Sequence, residues 1–471
     1  MGFSCAANAS VGSYLEDVWG GTTFTGHFQY NLAVRTNSTQ NYYNQGSLPF
    51  RNVPVDRQAY LPPALSAGAS NFTAPIPGFS DTITRGDFVP KRNLPFNDNQ
   101  IRLNGHMNVP LAQGLSFIAE ARVVYQPTLF ANRYDASTVT SQGGIPQGEY
   151  WRGADMQADY FDFRGRNGKR IMPLELSSTK YMVDLPVLVM DWRHAGLDIR
   201  VGNQVVAWGK AIFLRTLDVA NGLDYRRHLI LDRAIEEYGD KRVPAPTLRI
   251  IDQIKPGLLV DGFVERFQPT IIPNMNTPYN VIPSQFYQPL DNYYSGGYDT
   301  KLSYGIRLKA DYGTWGWTLM AARRYNPNGV YSWARSGINN PLPSTGLGGL
   351  VGTAYAAKLL NPAGCGTNHL TCRQFANTGA ALASTPFTVA PGGVYSGKEW
   401  FNAAGSAHLN GLAAFNSAVS MYPGLRDLYA NNQSTVAGTM RELNTFFMGA
   451  GGSLRGTVQR DYHAENIFGG G

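Results

Sequence analysis

Thr23-Phe24-Thr25-Gly26-His27-Phe28-Gln29-Tyr30-Asn31-Leu32-Ala33-Val34-Arg35 alternates apolar with polar residues. Phe24, Phe28, Tyr30, Leu32 and Val34 share one parity, broken only by Gly26. Thr23, Thr25, His27, Gln29, Asn31 and Arg35 share the other with Ala33. Successive side chains of a strand point to opposite faces, so this alternation predicts a strand with one apolar and one polar face. The pattern recurs at Gln100 to Val109, and at Leu115 to Tyr125 after the tight connection 110–114. Those two stretches predict a hairpin.

Further hairpins are predicted outward from there. Tyr181 to Trp192 and Leu197 to Trp208 flank a short turn, as do Ala245 to Asp252 and Leu258 to Phe267. Ser303 to Tyr312 and Trp315 to Tyr325 make another such pair, and Glu442 to Met448 with Ser453 to Asp461 a weaker one. Between them run long segments, 36–98, 127–180, 209–244, 268–302 and 326–441, rich in Gly, Pro, Asn and Ser and read as loops. Ordinary connections run about 4–6 residues. Strict alternation of short and long connections is the layout of outer-membrane barrels, whose sheets must satisfy every backbone group internally. The expected fold is therefore all-β: a transmembrane antiparallel up-and-down β-barrel of outer-membrane type over 23–471, with long extracellular loops and an N-terminal periplasmic segment at 1–22.

On this reading the apolar parity meets lipid. His27, Arg35, Arg102, His106, Arg122, Arg200, Arg307, Lys309 and Arg324 line a wet lumen. Seven of these, Arg and Lys, face Glu120, Asp198, Asp261, Glu265 and Asp311, a small positive excess that predicts weak anion preference or affinity for acidic-headed amphiphiles. Tyr30, Tyr125, Trp192, Trp208, Tyr312, Trp315, Trp317 and Tyr325 sit near strand ends, where aromatic girdles belong. Counting from Thr23 gives eleven strands, an odd number, and the chain ends in glycine; the expectation is a barrel incomplete at its C-terminus.

Composition agrees with this class. Charged residues are 15% of 471 and aromatics 12%, with 26 Tyr and 23 Phe, which excludes a disordered chain. No apolar run reaches the roughly 18 residues of a membrane helix. The formal charge of +7 comes without a basic run or recognition motif, so no nucleic-acid partner is expected. Of three cysteines, Cys365 and Cys372 are close enough in sequence for a local disulfide or two free thiols. Catalytic, phosphate-binding and zinc motifs are missing, so neither enzyme activity nor a cofactor is expected. His27 and His106 share a polar face and Glu236-Glu237 form a carboxylate pair; ordinary lumen and helix positions account for both. Glu399 to Asn431 has helical spacing at Trp400, Leu409, Leu412, Phe415 and Val419, read as a helix over the barrel mouth or in the lumen.

The strand 200–209 carries a more specific signal. Gln204, Val205, Val206, Trp208 and Gly209, followed by Asn221 and Asp224, resemble the hallmark Gly-Arg-Gln-Val-Val-x-Trp-Gly strand and Asn-Pro-(hydrophobic)-Asp loop of a proteobacterial outer-membrane β-barrel family, domain of unknown function family 1302. Asn203, Lys210 and Gly222 depart from that pattern and mark a divergent member. The resemblance implies a porin-like channel or transporter of the Gram-negative outer membrane that handles hydrophobic or amphiphilic small molecules. It also implies membrane lipid as surroundings, with an RND-type transporter and a periplasmic carrier as partners. The alternatives are a structural or docking barrel of an envelope complex and a secreted soluble β-rich binding protein.

Overall fold

The computed structural model describes residues 5–7, 21–34, 54–61, 74–84, 96–126, 161–178, 180–208, 221–226, 242–272, 287–350, 375–406, 408–421, 436–449 and 454–470. Strands β1 (Cys5–Ala7), β2 (Thr23–Val34), β3 (Pro54–Tyr60), β4 (Pro75–Thr84), β5 (Phe96–Ala112), β6 (Leu115–Tyr125), β7 (Glu175–Ser177), β8 (Tyr181–His194) and β9 (Leu197–Gln204) come first. After them come β10 (Ala245–Lys255), β11 (Leu258–Arg266), β12 (Tyr287–Asp291), β13 (Leu302–Asp311), β14 (Gly316–Tyr325), β15 (Val330–Trp333), β16 (Phe387–Val394), β17 (Leu454–Asp461) and β18 (Ala464–Gly470). Helices α1 (Thr378–Ala383), α2 (Gly397–Ser406), α3 (Gly411–Met421) and α4 (Val436–Gly449) lie between β15 and β17.

The protein is mostly β, and its main sheet is antiparallel and up-and-down. Among the described residues eleven strands run in the order β1-β2-β5-β6-β8-β9-β10-β11-β13-β14-β18, with β7 added beside β8. The sheet is not closed: β1 and β18 stand at its two ends. All nine strands expected between Thr23 and Tyr325 form, joined in hairpins by the short turns that the sequence marks. At one turn Ala195 and Gly196 both have positive φ, 47° and 92°, which suits the twist of a two-residue hairpin. No helix among the described residues is long and apolar enough to cross a membrane.

The polarity of the sheet is inverted relative to a water-soluble protein. Leu248, Ile250, Val264, Tyr304, Ile306 and Phe468 are exposed on one face, Phe468 to 77%. The opposite face is polar yet buried, with Arg102, Arg122, Asp184, Asp191, Asn203, Gln204, Asp261 and Glu265 all below one-tenth exposure. Buried charges survive only when paired, and most of these are. Arg122 meets Asp184 at 2.5 Å, Arg200 meets Asp198 at 3.1 Å and Asp191 at 3.4 Å, and Arg324 meets Glu465 at 2.8 Å.

Several sequence expectations are corrected. Glu442 to Met448 is not a strand but part of α4, because Leu443, Phe446 and Phe447 follow helical spacing and are buried together. The strand at 454–461 joins not the main sheet but a second sheet of order β12-β17-β15, with β16 beside β17. The strand that pairs with β14 is β18, so among the described residues the main sheet has ten strands from Thr23 rather than eleven. An even count brings β2 in and β18 out toward the short-turn end.

The segments read as loops also hold structure. Within 36–98, β3 and β4 form a hairpin, and within 326–441 lie β15, β16 and three helices. The expected helix at 399–431 appears as α2 and α3, with 422–431 outside the described residues. Its Trp400 and Phe415 do not cover open space; they pack with Leu342, Phe387, Leu443, Phe447 and Val458 in an apolar core. Trp400 stacks on Trp333 at 4.8 Å, and Gly456 beneath leaves room for both rings. Tyr60 N donates to Thr445 Oγ1 at 2.8 Å, which ties the β3–β4 hairpin to α4.

Candidate functional site

The polar face is most elaborate where β9 ends. Gln204 is buried and its Nε2 donates to the carbonyls of Arg200 and Thr247, at 3.3 and 3.2 Å. That bond to β10 finishes the strand, and the chain turns onto the polar face. Val206 N donates to Asn221 Oδ1 at 2.8 Å. Trp208 then lies against the sheet, its ring T-shaped to Phe263 at 5.0 Å and its Nε1 donating to Asp261 Oδ2 at 2.8 Å. Gly305 makes this possible, since a Cβ there would sit 2.8 Å from the indole ring.

Asp261 is the hub of this cluster and is fully buried. It accepts from Arg249 through both oxygens, at 3.0 and 2.7 Å, and from Arg307 Nη2 at 2.8 Å. Arg307 also donates from Nη1 to the Trp208 carbonyl at 2.7 Å and stands 5.5 Å from the indole centre. Two guanidinium groups against one carboxylate leave a local positive charge. Because each cation has a fixed acceptor, the cluster holds the tryptophan by charge-assisted bonds, roughly twice as strong as neutral ones.

A second buried cluster fills the gap that β9 leaves. Where β9 departs, its place beside the far half of β8 is taken by β7, with Glu175 opposite Asp184. Arg226 clamps β7 to the motif loop. It forms a two-pronged pair with Glu175, both bonds 2.7 Å, and reaches Asp224 Oδ2 at 2.6 Å and the Phe161 carbonyl. Burial alone would raise the Asp224 carboxyl, but the Arg226 charge and its hydrogen bonds hold it below the ordinary range. Tyr225 N donates to the Ile271 carbonyl, so the loop also rides on the chain leaving β11. Nearby, Phe267, Tyr293, Tyr462, Ile171 and Ile271 make a small aromatic-rich core. There Arg460 and Tyr462 both bond Asp291.

The residues of the family-like motif thus meet in space. Gln204, Val206, Trp208, Asn221 and Asp224 form one inward-turned unit, with Val205 on the same segment, while Gly209 lies outside the described residues. Of the lumen candidates, Arg102, Arg122, Arg200, Arg307 and Arg324 lie on the polar face. His27 and His106 do share that face on β2 and β5, opposite Asn104 and Thr25. No group of three metal-ligating side chains exists among the described residues. Lys309 is exposed toward the short-turn end. Arg35, Cys365, Cys372, Glu236 and Glu237 lie outside the described residues.

Sequence reasoning missed Arg249, Asp184, Asp191, Glu175, Arg226 and Glu465. Asp184, Asp191 and Glu465 add three carboxylates to the polar face and Arg249 one cation, so the expected positive excess disappears. Parity around the irregular register between β6 and β8 hid the first two, since a bulge shifts which residues share a face.

A family model described as a protein of unknown function (DUF1302) matches residues 9–467. A comparison with curated proteins gives no match.

Proposed function

The chain belongs to the DUF1302 family, and we propose that it is a barrel-type protein of the Gram-negative outer membrane that passes hydrophobic or amphiphilic small molecules. The observation that carries this reading is the inverted sheet: a continuous apolar face is exposed, while the charged face is buried and paired. In water, soluble monomers rarely expose contiguous apolar patches beyond a few hundred Å². In a bilayer the same face is solvated by lipid, and an up-and-down sheet that closes on itself satisfies its backbone internally.

The interior then forms the solute path. Trp208, held over Asp261 by Arg249 and Arg307, narrows it with an apolar ring on a polar support. Balanced charge on this face favours amphiphiles and weakly charged solutes over a strong ion preference. The role is transport rather than catalysis, alongside an envelope RND-type transporter and a periplasmic carrier.

The test is reconstitution of the full chain in lipid bilayers and proteoliposomes. Discrete conductance, together with uptake of an amphiphile such as a labelled fatty acid, is the expected result. A protein that inserts but passes neither ions nor amphiphile contradicts the transport role.

A further inference from the structure

The exposed apolar face is not smooth. Two rows of side chains cross β10, β11, β13, β14 and β18 in register. One row is Ile250, Gly262, Ile306, Ala321 and Phe468; the next is Leu248, Val264, Tyr304, Arg323 and Asn466. Gly262 and Ala321 carry little or no side chain between large neighbours, and a groove of about 570 Å³ opens there. That volume lies within the range of small-ligand sites, about 300–1,000 Å³.

The groove has a polar end. Arg323 is exposed on the apolar side, two residues before β14 ends at Tyr325. Its neighbour in the chain, Arg324, faces the other way and pairs with Glu465. Arg323 itself has no carboxylate partner among the described residues, and the Asn466 side chain stands across from it on β18. A cation on a lipid-facing surface is costly unless it reaches an anion at the interface.

We propose that this groove holds one anionic, phosphate-bearing membrane lipid, its acyl chain over Gly262 and Ala321 and its phosphate on Arg323 and Asn466, with phosphatidylglycerol as the probe. The proposal rests on the membrane reading above. Charge complementarity selects the occupant: a guanidinium matches a phosphate with two parallel bonds, and a net-negative head leaves that phosphate without a competing internal cation. The acyl chain fits a channel that is otherwise lined by Leu248, Ile250, Val264 and Ile306.

The experiment is native mass spectrometry of the full chain in detergent, titrated with dioleoylphosphatidylglycerol or dioleoylphosphatidylcholine. The expected result is one retained phosphatidylglycerol, with phosphatidylcholine bound about tenfold more weakly. Arg323→Gln should lose about tenfold in phosphatidylglycerol affinity and Arg323→Lys less. Gly262→Leu should abolish the site by filling it. A Cβ at Gly262 meets only the Gly305 carbonyl at 3.6 Å, so that variant folds without backbone strain. Circular dichroism of each variant should match the parent. Equal binding of the two lipids, or undiminished binding by Arg323→Gln or Gly262→Leu, overturns the proposal while leaving the membrane reading intact. A chain that stays monodisperse without detergent overturns both.

Discussion

Replacing Arg226 by Met tests whether the buried clamp holds the motif loop in place. Met keeps an unbranched apolar side chain but removes five donors, among them those that reach the Phe161 carbonyl and the Met182 sulfur, so packing and charge are separated. Arg226 and Glu175 are both about 2% exposed, and Asp224 lies within 2.6 Å of the same guanidinium. Removing one member of a buried pair costs about 3–5 kcal/mol, because the partner carboxylates stay behind uncompensated. The cost falls on a local opening, since β7 has only three residues and this side chain joins it to the motif loop. At about 1.4 kcal/mol per tenfold, hydrogen exchange of amides in 174–178 and 221–226 should speed up by roughly two to three and a half powers of ten. Amides in β10 and β11 should keep their protection. Arg226→Lys should fall between, as a point charge cannot grip Glu175 and Asp224 together. Unchanged exchange in Arg226→Met refutes the clamp.

Trp208→Phe removes the bond to Asp261 but keeps an aromatic ring, and should cost about 1.5–3 kcal/mol, read as a lower melting temperature in detergent. Gly222→Ala places a Cβ 2.5 Å from Thr270 N and 2.6 Å from the Pro269 carbonyl carbon, so the motif loop must shift; a loss of about 1–3 kcal/mol is expected in urea titration. Because the folded Asp224 carboxyl is depressed, its stabilisation is complete above the ordinary aspartate value of about 4 and is lost only as pH falls below it. Exchange at 221–226 should therefore be flat from pH 7 to about 5 after correction for intrinsic rates and rise in stronger acid; a rise near neutrality contradicts the pairing.

What the sequence displayed depended on period. Nine strands of the main sheet were legible because most keep apolar and polar residues on separate parities, as Leu115 to Tyr125 does. β18 was not, since Asn466 and Phe468 share a face and glycines end the strand, so no apolar parity exists to be read. In α4 the stretch Glu442 to Met448 reads only as a weak strand, although Leu443, Phe446 and Phe447 already sit at helical spacing. The β3–β4 hairpin carries Pro54, Pro75 and Gly78, the residues that ordinarily mark loops, and it is held by Arg57 bridging to Asp81 rather than by a patterned face. At the site, the motif itself was visible and its folding inward was not. That depends on Gly305 and Asp261 accepting Trp208 from a distant strand, a pairing no local pattern announces.

The central claim is that the apolar face of the main sheet meets lipid and the polar face does not. Single cysteines along β11, from Leu258 to Arg266, in a background with the three native cysteines replaced by serine, can carry nitroxide labels in reconstituted protein. Val264 is exposed while its neighbours Phe263 and Glu265 are buried, so accessibility to oxygen dissolved in the bilayer should alternate with a period of two. High oxygen access and low access to a water-soluble nickel chelate are predicted at 260, 262 and 264, and low oxygen access at 261, 263 and 265. Chelate access at 260, 262 and 264 equal to or above oxygen access would contradict the claim.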